Sequence, residues 1–87
     1  MHKDRYIYPA IFDYSKDGIA IEFPDLPGCL PCAKTTEEAV NNAREAVALH
    51  LHSMEQDGET IPEPTPVDRL KLEANQIPIL IEIFMPL

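Results

Sequence analysis

Polar and apolar residues change rhythm three times along this chain. From Arg5 to Tyr14, RYIYPAIFDY, the residues alternate so that Tyr6, Tyr8, Ala10, Phe12 and Tyr14 share one face and Ile7, Pro9 and Ile11 the other. A period of two in β-branched and aromatic residues predicts a strand. Ser15 to Gly18, SKDG, carries an Asp-Gly pair, and IAIEF then alternates with Ile19, Ile21 and Phe23 on one side. The two segments read as a β-hairpin. Pro9 withholds one backbone donor, which is tolerated where that donor would face no neighbouring strand. The first strand is therefore expected to be partly an edge.

From Thr36 the period becomes helical. At about 100° per residue, Ala39, Val40, Ala43, Ala46, Val47, His50, Leu51 and Met54 fall in one wide stripe, with Glu37, Glu38, Glu45, Ala48 and His52 outside it. Thr35 followed three residues later by Glu38 has the form of a capping box, in which the hydroxyl accepts from a free backbone N–H and the carboxylate reaches back to the cap. Gly58 supplies the stop. The alanines at 39, 43 and 46 let the helix lie close to a sheet, so it needs one to cover.

ETIPEPTP, Glu59 to Pro66, is too rich in proline to continue a helix and reads as an extended connector. Pro66 then opens what reads as a short helix, VDRLKLEA, from Val67 to Ala74, with Leu70 as its inward residue. IPILIEIFM closes the chain as a strand, Ile77, Ile79, Ile81, Ile83 and Met85 on one face and Leu80, Glu82 and Phe84 on the other. A strand apolar on nearly both faces is expected either to sit centrally or to be covered by another subunit, the self-association surface being Leu80, Glu82 and Phe84. Adding a short strand around Cys32 to Lys34, the order is β-β-β-α-β. The fold class is α+β, a small, largely antiparallel sheet with one main helix packed on one face.

At 87 residues the chain is expected to form a single domain, 1-87, and it shows no repeat, low-complexity tract or second domain. No stretch approaches the roughly 18 uninterrupted apolar residues of a membrane span. The N-terminal MHKDRYIYPAIF has early positive charge but no apolar run ending in a cleavage site, so the expected location is cytoplasmic and the two cysteines are expected to be reduced thiols. Net charge is −8 and uneven: residues 1 to 35 contribute −1 and residues 36 to 87 contribute −7. Phosphate backbones are bound by Lys and Arg clusters, so direct nucleic-acid binding is not expected, whereas a basic protein partner is compatible with the acidic half.

FPDLPGCLPC, Phe23 to Cys32, holds three prolines and both cysteines. In Leu26-Pro27-Gly28-Cys29, proline presets φ at the second turn position and glycine supplies positive φ at the third, the sequence of a type II turn. Asp25 is placed to bond a backbone N–H just ahead of it. Pro24 and Pro31 stiffen the flanks, and Cys29 is read as a small packed residue beneath the corner. A Zn site needs about four Cys or His ligands; His50 and His52 lie two apart on the helix and point away from each other, and His50 falls in the apolar stripe. A redox Cys-x-x-Cys opens a helix, but here the helix begins only at Thr36. Asp13, Asp17, Glu22 and Asp25 gather around the first hairpin as turn and strand-end residues. No catalytic, cofactor or metal site is expected.

YPAIF at Tyr8 to Phe12, DGIAIEFPDLPGC at Asp17 to Cys29, TTEEAVNNAREAVALHL at Thr35 to Leu51 and IPEP at Ile61 to Pro64 together resemble the HicB family of antitoxins over almost the whole chain. The resemblance implies a partial RNase H-like β-β-β-α-β fold without the nuclease carboxylates. It also implies a partner, HicA, a small basic toxin with a double-stranded-RNA-binding-like fold that cleaves mRNA through a catalytic histidine. Ala33 stands where that family usually has glycine. Many members continue into a helix-turn-helix or ribbon-helix-helix segment that binds the operator; this chain stops at Leu87, so no C-terminal DNA-binding segment and no promoter binding of its own are expected. The leading expectation is a non-enzymatic antitoxin-type binding module that occludes a HicA-like RNase toxin. Its partner-binding carboxylates are expected to be Glu38, Glu45, Glu55, Glu59 and Glu63, on the outer helix face and the connector. The alternative is an orphan oligomeric module without a toxin, a dimer or larger built through the last strand.

Overall fold

The computed structural model describes residues 5–84. Four strands, β1 (Arg5–Ser15), β2 (Gly18–Glu22), β3 (Cys32–Ala33) and β4 (Gln76–Phe84), form one sheet in the order β3-β2-β1-β4, and every neighbouring pair is antiparallel. A single long helix, α1 (Thr36–Gln56), lies across one face. Met85, assigned above to the last strand, lies outside the described residues.

The alternation in sequence becomes the two faces of this sheet. Tyr8, Ala10 and Phe12 of β1, Ile19 and Ile21 of β2 and Ile81 and Ile83 of β4 are buried together with Ala39, Ala43, Val47 and Leu51 of α1. Those helix positions recur every four residues along one stripe, and the two alanines keep the helix axis close to the sheet. Phe23, Leu26 and Cys29 from the Pro-rich corner complete the core.

Each end of the helix is closed by its own residues. The Thr35 hydroxyl accepts from the Glu38 N–H at 3.2 Å, while the Glu38 carboxylate accepts from the backbone N–H of Lys34 at 3.2 Å, one residue before the cap rather than at the cap itself. At the other end Gly58 takes φ 72°, Gly58 N–H donates to the Glu55 carbonyl at 3.2 Å and Glu59 N–H to the Met54 carbonyl at 2.9 Å. This pair of bonds is a Schellman ending, which uses up carbonyls the helix would leave open.

Both strand prolines sit where the ladder asks nothing of them. Tyr14 N–H donates to the Asn75 carbonyl at 3.1 Å, so the even residues of β1 face β4 and the odd ones face β2. β2 ends at Glu22, opposite Ile11, so the nitrogen of Pro9 points past the end of β2. On β4, Pro78 pairs with Ile11 through the same rule and turns its nitrogen to the outer edge. β1 is thus central along its second half and flanked only by β4 along its first.

One expectation is corrected, and one of two alternatives falls. The short helix over Val67 to Ala74 is only a single 3₁₀ turn, Val67–Arg69, and Leu70 is already extended at φ −75°, ψ 138°. Val67 is exposed and Leu70 only half-buried, so there is no apolar face to offset the cost of starting a helix. β4 does not sit centrally but at the edge of the sheet, paired with β1 alone.

Candidate partner-binding groove

The Pro-rich corner is built from two consecutive turns. Leu26 N–H donates to the Phe23 carbonyl at 3.0 Å and Cys29 N–H to the Leu26 carbonyl at 3.1 Å, with Gly28 at φ 90°. Pro27 and Gly28 therefore occupy the central positions of a type II turn. Pro24 is exposed on its flank, and the buried Cys29 packs beneath. Burial pushes the Cys29 thiol upward, away from the reactive thiolate, and both Cys29 and Cys32 are free. Among the described residues no three His, Cys, Asp or Glu side chains come together as metal ligands.

Asp25 does not bond the backbone just ahead of it, as its place in the turn implied. Its carboxylate reaches the connector and accepts from Thr65 twice, from the backbone N–H at 2.9 Å and from the hydroxyl at 2.6 Å. Beside it the Tyr8 hydroxyl donates to the Pro62 carbonyl at 2.6 Å. Burial, and then the nearby Tyr6, Asp25 and Glu63, push the Tyr8 phenol up to about 12, so it stays a donor. Two residues from separate motifs thus hold the IPEP connector in place.

With the corner fixed on one side, an open groove of about 740 Å³ runs between it and α1. Cys29, Leu30 and Pro31 line it from the corner, and Leu49, Ser53 and Met54 from the helix. His50, placed above in the apolar stripe, is half-buried and lines this groove rather than the core, and Glu59 is part of the same lining. Leu30 is 69 % exposed and Leu49 70 % exposed, so each contributes a large apolar surface that the fold itself does not use. The reading from sequence missed both. Leu49 was legible as an apolar residue out of phase with the buried stripe, one turn beyond Glu45 on the polar side.

The five carboxylates expected to meet a partner are all exposed, but they do not converge. Glu38 and Glu45 lie seven residues apart and so within about 20° on one outer ridge, with Leu49 one turn beyond Glu45. Glu59 lines the groove itself. Glu55 lies on another flank, near enough to Tyr6 to help burial raise that phenol, and Glu63 acts on Tyr8. Tyr6 and Tyr8 stack with ring centroids 6.3 Å apart, so Glu55 and Glu63 belong to a tyrosine-side pair. Leu80, Glu82 and Phe84 are remote from the groove in the ladder, on the outer strand.

A sheet covered by one helix on one face, with an open groove that carries Leu30, Leu49 and Glu59, is the arrangement in which the site lies. Residues 8–84 match the HicB_like antitoxin of bacterial toxin-antitoxin system, and the chain belongs to that family. It is 35% identical over 63 residues to an uncharacterized 14.9 kDa protein of Haemophilus phage HP1, covering 72% of this chain and 47% of that protein. It is 34% identical over 58 residues to Antitoxin HicB 2 of Photorhabdus laumondii, covering 67% of this chain and 42% of that protein. The chain thus spans less than half the length of both relatives. A chain of a solved HicA3 and HicB3 toxin-antitoxin complex is similar at 28% identity and TM-score 0.65, covering 93% of this chain and 99% of that one. A chain of a toxin-antitoxin complex from Streptococcus pneumoniae shares the fold at TM-score 0.82 and 16% identity, covering 91% of this chain and 69% of that one. The α+β architecture is that of HicB antitoxins. No helix among the described residues is long and apolar enough to cross a membrane.

Proposed function

We propose that this chain is the toxin-neutralising module of a HicA-like toxin and acts by occlusion rather than by catalysis. The observation that carries this is that Leu30 and Leu49, each more than two-thirds exposed, line one groove with the Glu59 carboxylate, while Glu45 lies one helical turn from Leu49. An apolar centre with a charged rim is how non-obligate interfaces are built. Opposite charge on a basic toxin accelerates encounter and selects the right partner, while the leucines supply the area removed from water. Membership in an antitoxin family, together with the likeness to a chain of the HicA3 and HicB3 complex, supports this class of partner. The rigid corner matters because a wall held by Pro27, Gly28 and the Asp25 clamp loses little freedom on binding.

The test is reconstitution. The chain and a HicA-like toxin are co-expressed, pulled down, and assayed for mRNA cleavage by the toxin with and without the chain. A complex that silences cleavage supports the proposal. Undiminished cleavage with excess chain overturns it.

A further inference from the structure

We propose that the toxin's contact does not end at the groove but continues round the edge of β2 onto the face of the sheet opposite the helix, with Leu30 as the ridge between. The inference rests on the groove reading and extends it to a second hollow.

The ladder puts Leu30 at that edge. β2 and β3 pair as Ile19 with Ala33 and Ala20 with Cys32, and the next bond, from the Ile21 N–H to the Pro31 carbonyl at 3.0 Å, keeps the same register. Pro31 has no N–H to return, so regular pairing stops there and Leu30 falls level with Glu22. On its other side Leu30 follows Cys29, whose N–H closes the type II turn. An exposed leucine whose two backbone neighbours are both fixed loses little freedom when a partner covers it.

Glu22 and Ala20 belong to the face away from the helix, alternating with the buried Ile19 and Ile21. Across the ladder, Ile11 stands opposite Glu22, and Asp13 stands opposite both Ala20 and Gln76. These residues and Leu30 line a hollow of about 280 Å³. Leu30 lines this hollow and the groove beside α1 alike, so the two meet at one side chain.

Charge names the occupant. Asp13 is already engaged, accepting from the Asn75 side chain at 2.7 Å and the Gln76 side chain at 2.9 Å. Glu22 is exposed, and its carboxylate has no partner among the described residues. The hollow thus repeats the make-up of the groove: apolar surface at Leu30 with a carboxylate beside it. A basic partner seated on Leu30 meets Glu59 on one side and Glu22 on the other. A second copy, carrying the same net charge of −8, brings more negative charge to both.

Titration of a HicA-like toxin against wild-type, Ala20→Gln, Glu22→Lys and Leu49→Arg forms of the chain tests this, with far-UV circular dichroism to show that each is folded. Ala20→Gln fills the hollow without changing the charge, and Glu55→Lys, on the tyrosine side, matches the charge change of Glu22→Lys. The expected result is an affinity about fivefold or more weaker for Ala20→Gln and for Glu22→Lys, and within about twofold of wild type for Glu55→Lys. An unaffected Ala20→Gln, or a loss in Glu22→Lys no larger than in Glu55→Lys, overturns the proposal; if Leu49→Arg is still weakened, the contact ends at the groove and the groove reading stands. A wild type that binds no toxin overturns the reading and the proposal together. Sedimentation covers the rival occupant: a wild-type dimer that Ala20→Gln dissolves, at unchanged toxin affinity, assigns the face to a second copy and overturns the proposal. If one of the two hollow variants unfolds, the other decides.

Discussion

Asp25 accepts the backbone N–H of Thr65 at 2.9 Å and its hydroxyl at 2.6 Å, across 40 positions of sequence. The carboxylate of the corner therefore fastens the connector that follows the helix, and the corner and connector behave as one unit. Hydrogen bonds to a charged group contribute roughly 1.5–3 kcal/mol when well buried and about 1 kcal/mol each where, as here, they are only partly buried. Asp25→Ala is expected to cost about 2 kcal/mol for its two bonds, lowering Tm by about 8–16 °C for a domain of this size. Thr65→Ala keeps the backbone bond and should cost less, and the double variant no more than Asp25→Ala alone, because the one bond that Thr65→Ala removes is already lost without Asp25. Thermal melts of the cycle check this; strict additivity would mean the two residues do not act together.

Tyr8 gives the fold an alkaline limit. Its phenol donates to Pro62 and titrates at about 12 against an ordinary 10.0. A group whose pKa is raised by folding stabilises fully below its unfolded value, and that contribution is lost as pH rises through the folded value. Stability is thus expected to fall between about pH 10 and 12, and Tyr8→Phe should flatten this fall while lowering neutral-pH stability by about 1 kcal/mol. Urea melts against pH for both forms measure it.

The glycines at 18 and 28 both have positive φ, 138° and 90°, but differ in what surrounds them. A Cβ on Gly18 would lie 2.8 Å from the Ala33 carbonyl oxygen, whereas one on Gly28 meets nothing within 4 Å. Gly28→Ala is expected to cost about 1–2 kcal/mol from backbone strain alone. Gly18→Ala should cost about 3 kcal/mol or more, because it also pushes β3 from β2. Equal losses in denaturant melts would contradict the role given to Ala33.

Strand and helix positions were legible wherever periodicity and burial coincide: Tyr8, Ala10 and Phe12 at a period of two, and Ala39, Ala43 and Val47 at a period of four, all face the core. Where a segment's conformation depends on what packs against it, sequence misled. Val67 to Ala74 has helical residues after a proline but nothing to bury, so only one turn forms. Asp25 looked like a local turn residue because its real partner, Thr65, is distant in sequence and close only after folding. Equally hidden were the groove and the order of the strands, since Leu30 and Leu49 meet the same groove only once the corner is laid beside the helix, and in the IPILIEIF segment the one mark of an edge, Pro78, is set among residues apolar on nearly both faces.

The account of the groove rests on Leu49 and its neighbouring carboxylates, and titration of the cognate toxin against three forms of the chain tests it most directly. Leu49→Arg is expected to weaken binding about tenfold or more, a loss of roughly 1.4 kcal/mol or above. Reversing Glu38, Glu45 and Glu59 to Lys should weaken it further and flatten its dependence on salt, while reversing Glu55 and Glu63, on the tyrosine side, should leave the affinity within about threefold. Affinity unchanged by Leu49→Arg, or lost equally on reversing either set of carboxylates, would contradict the account.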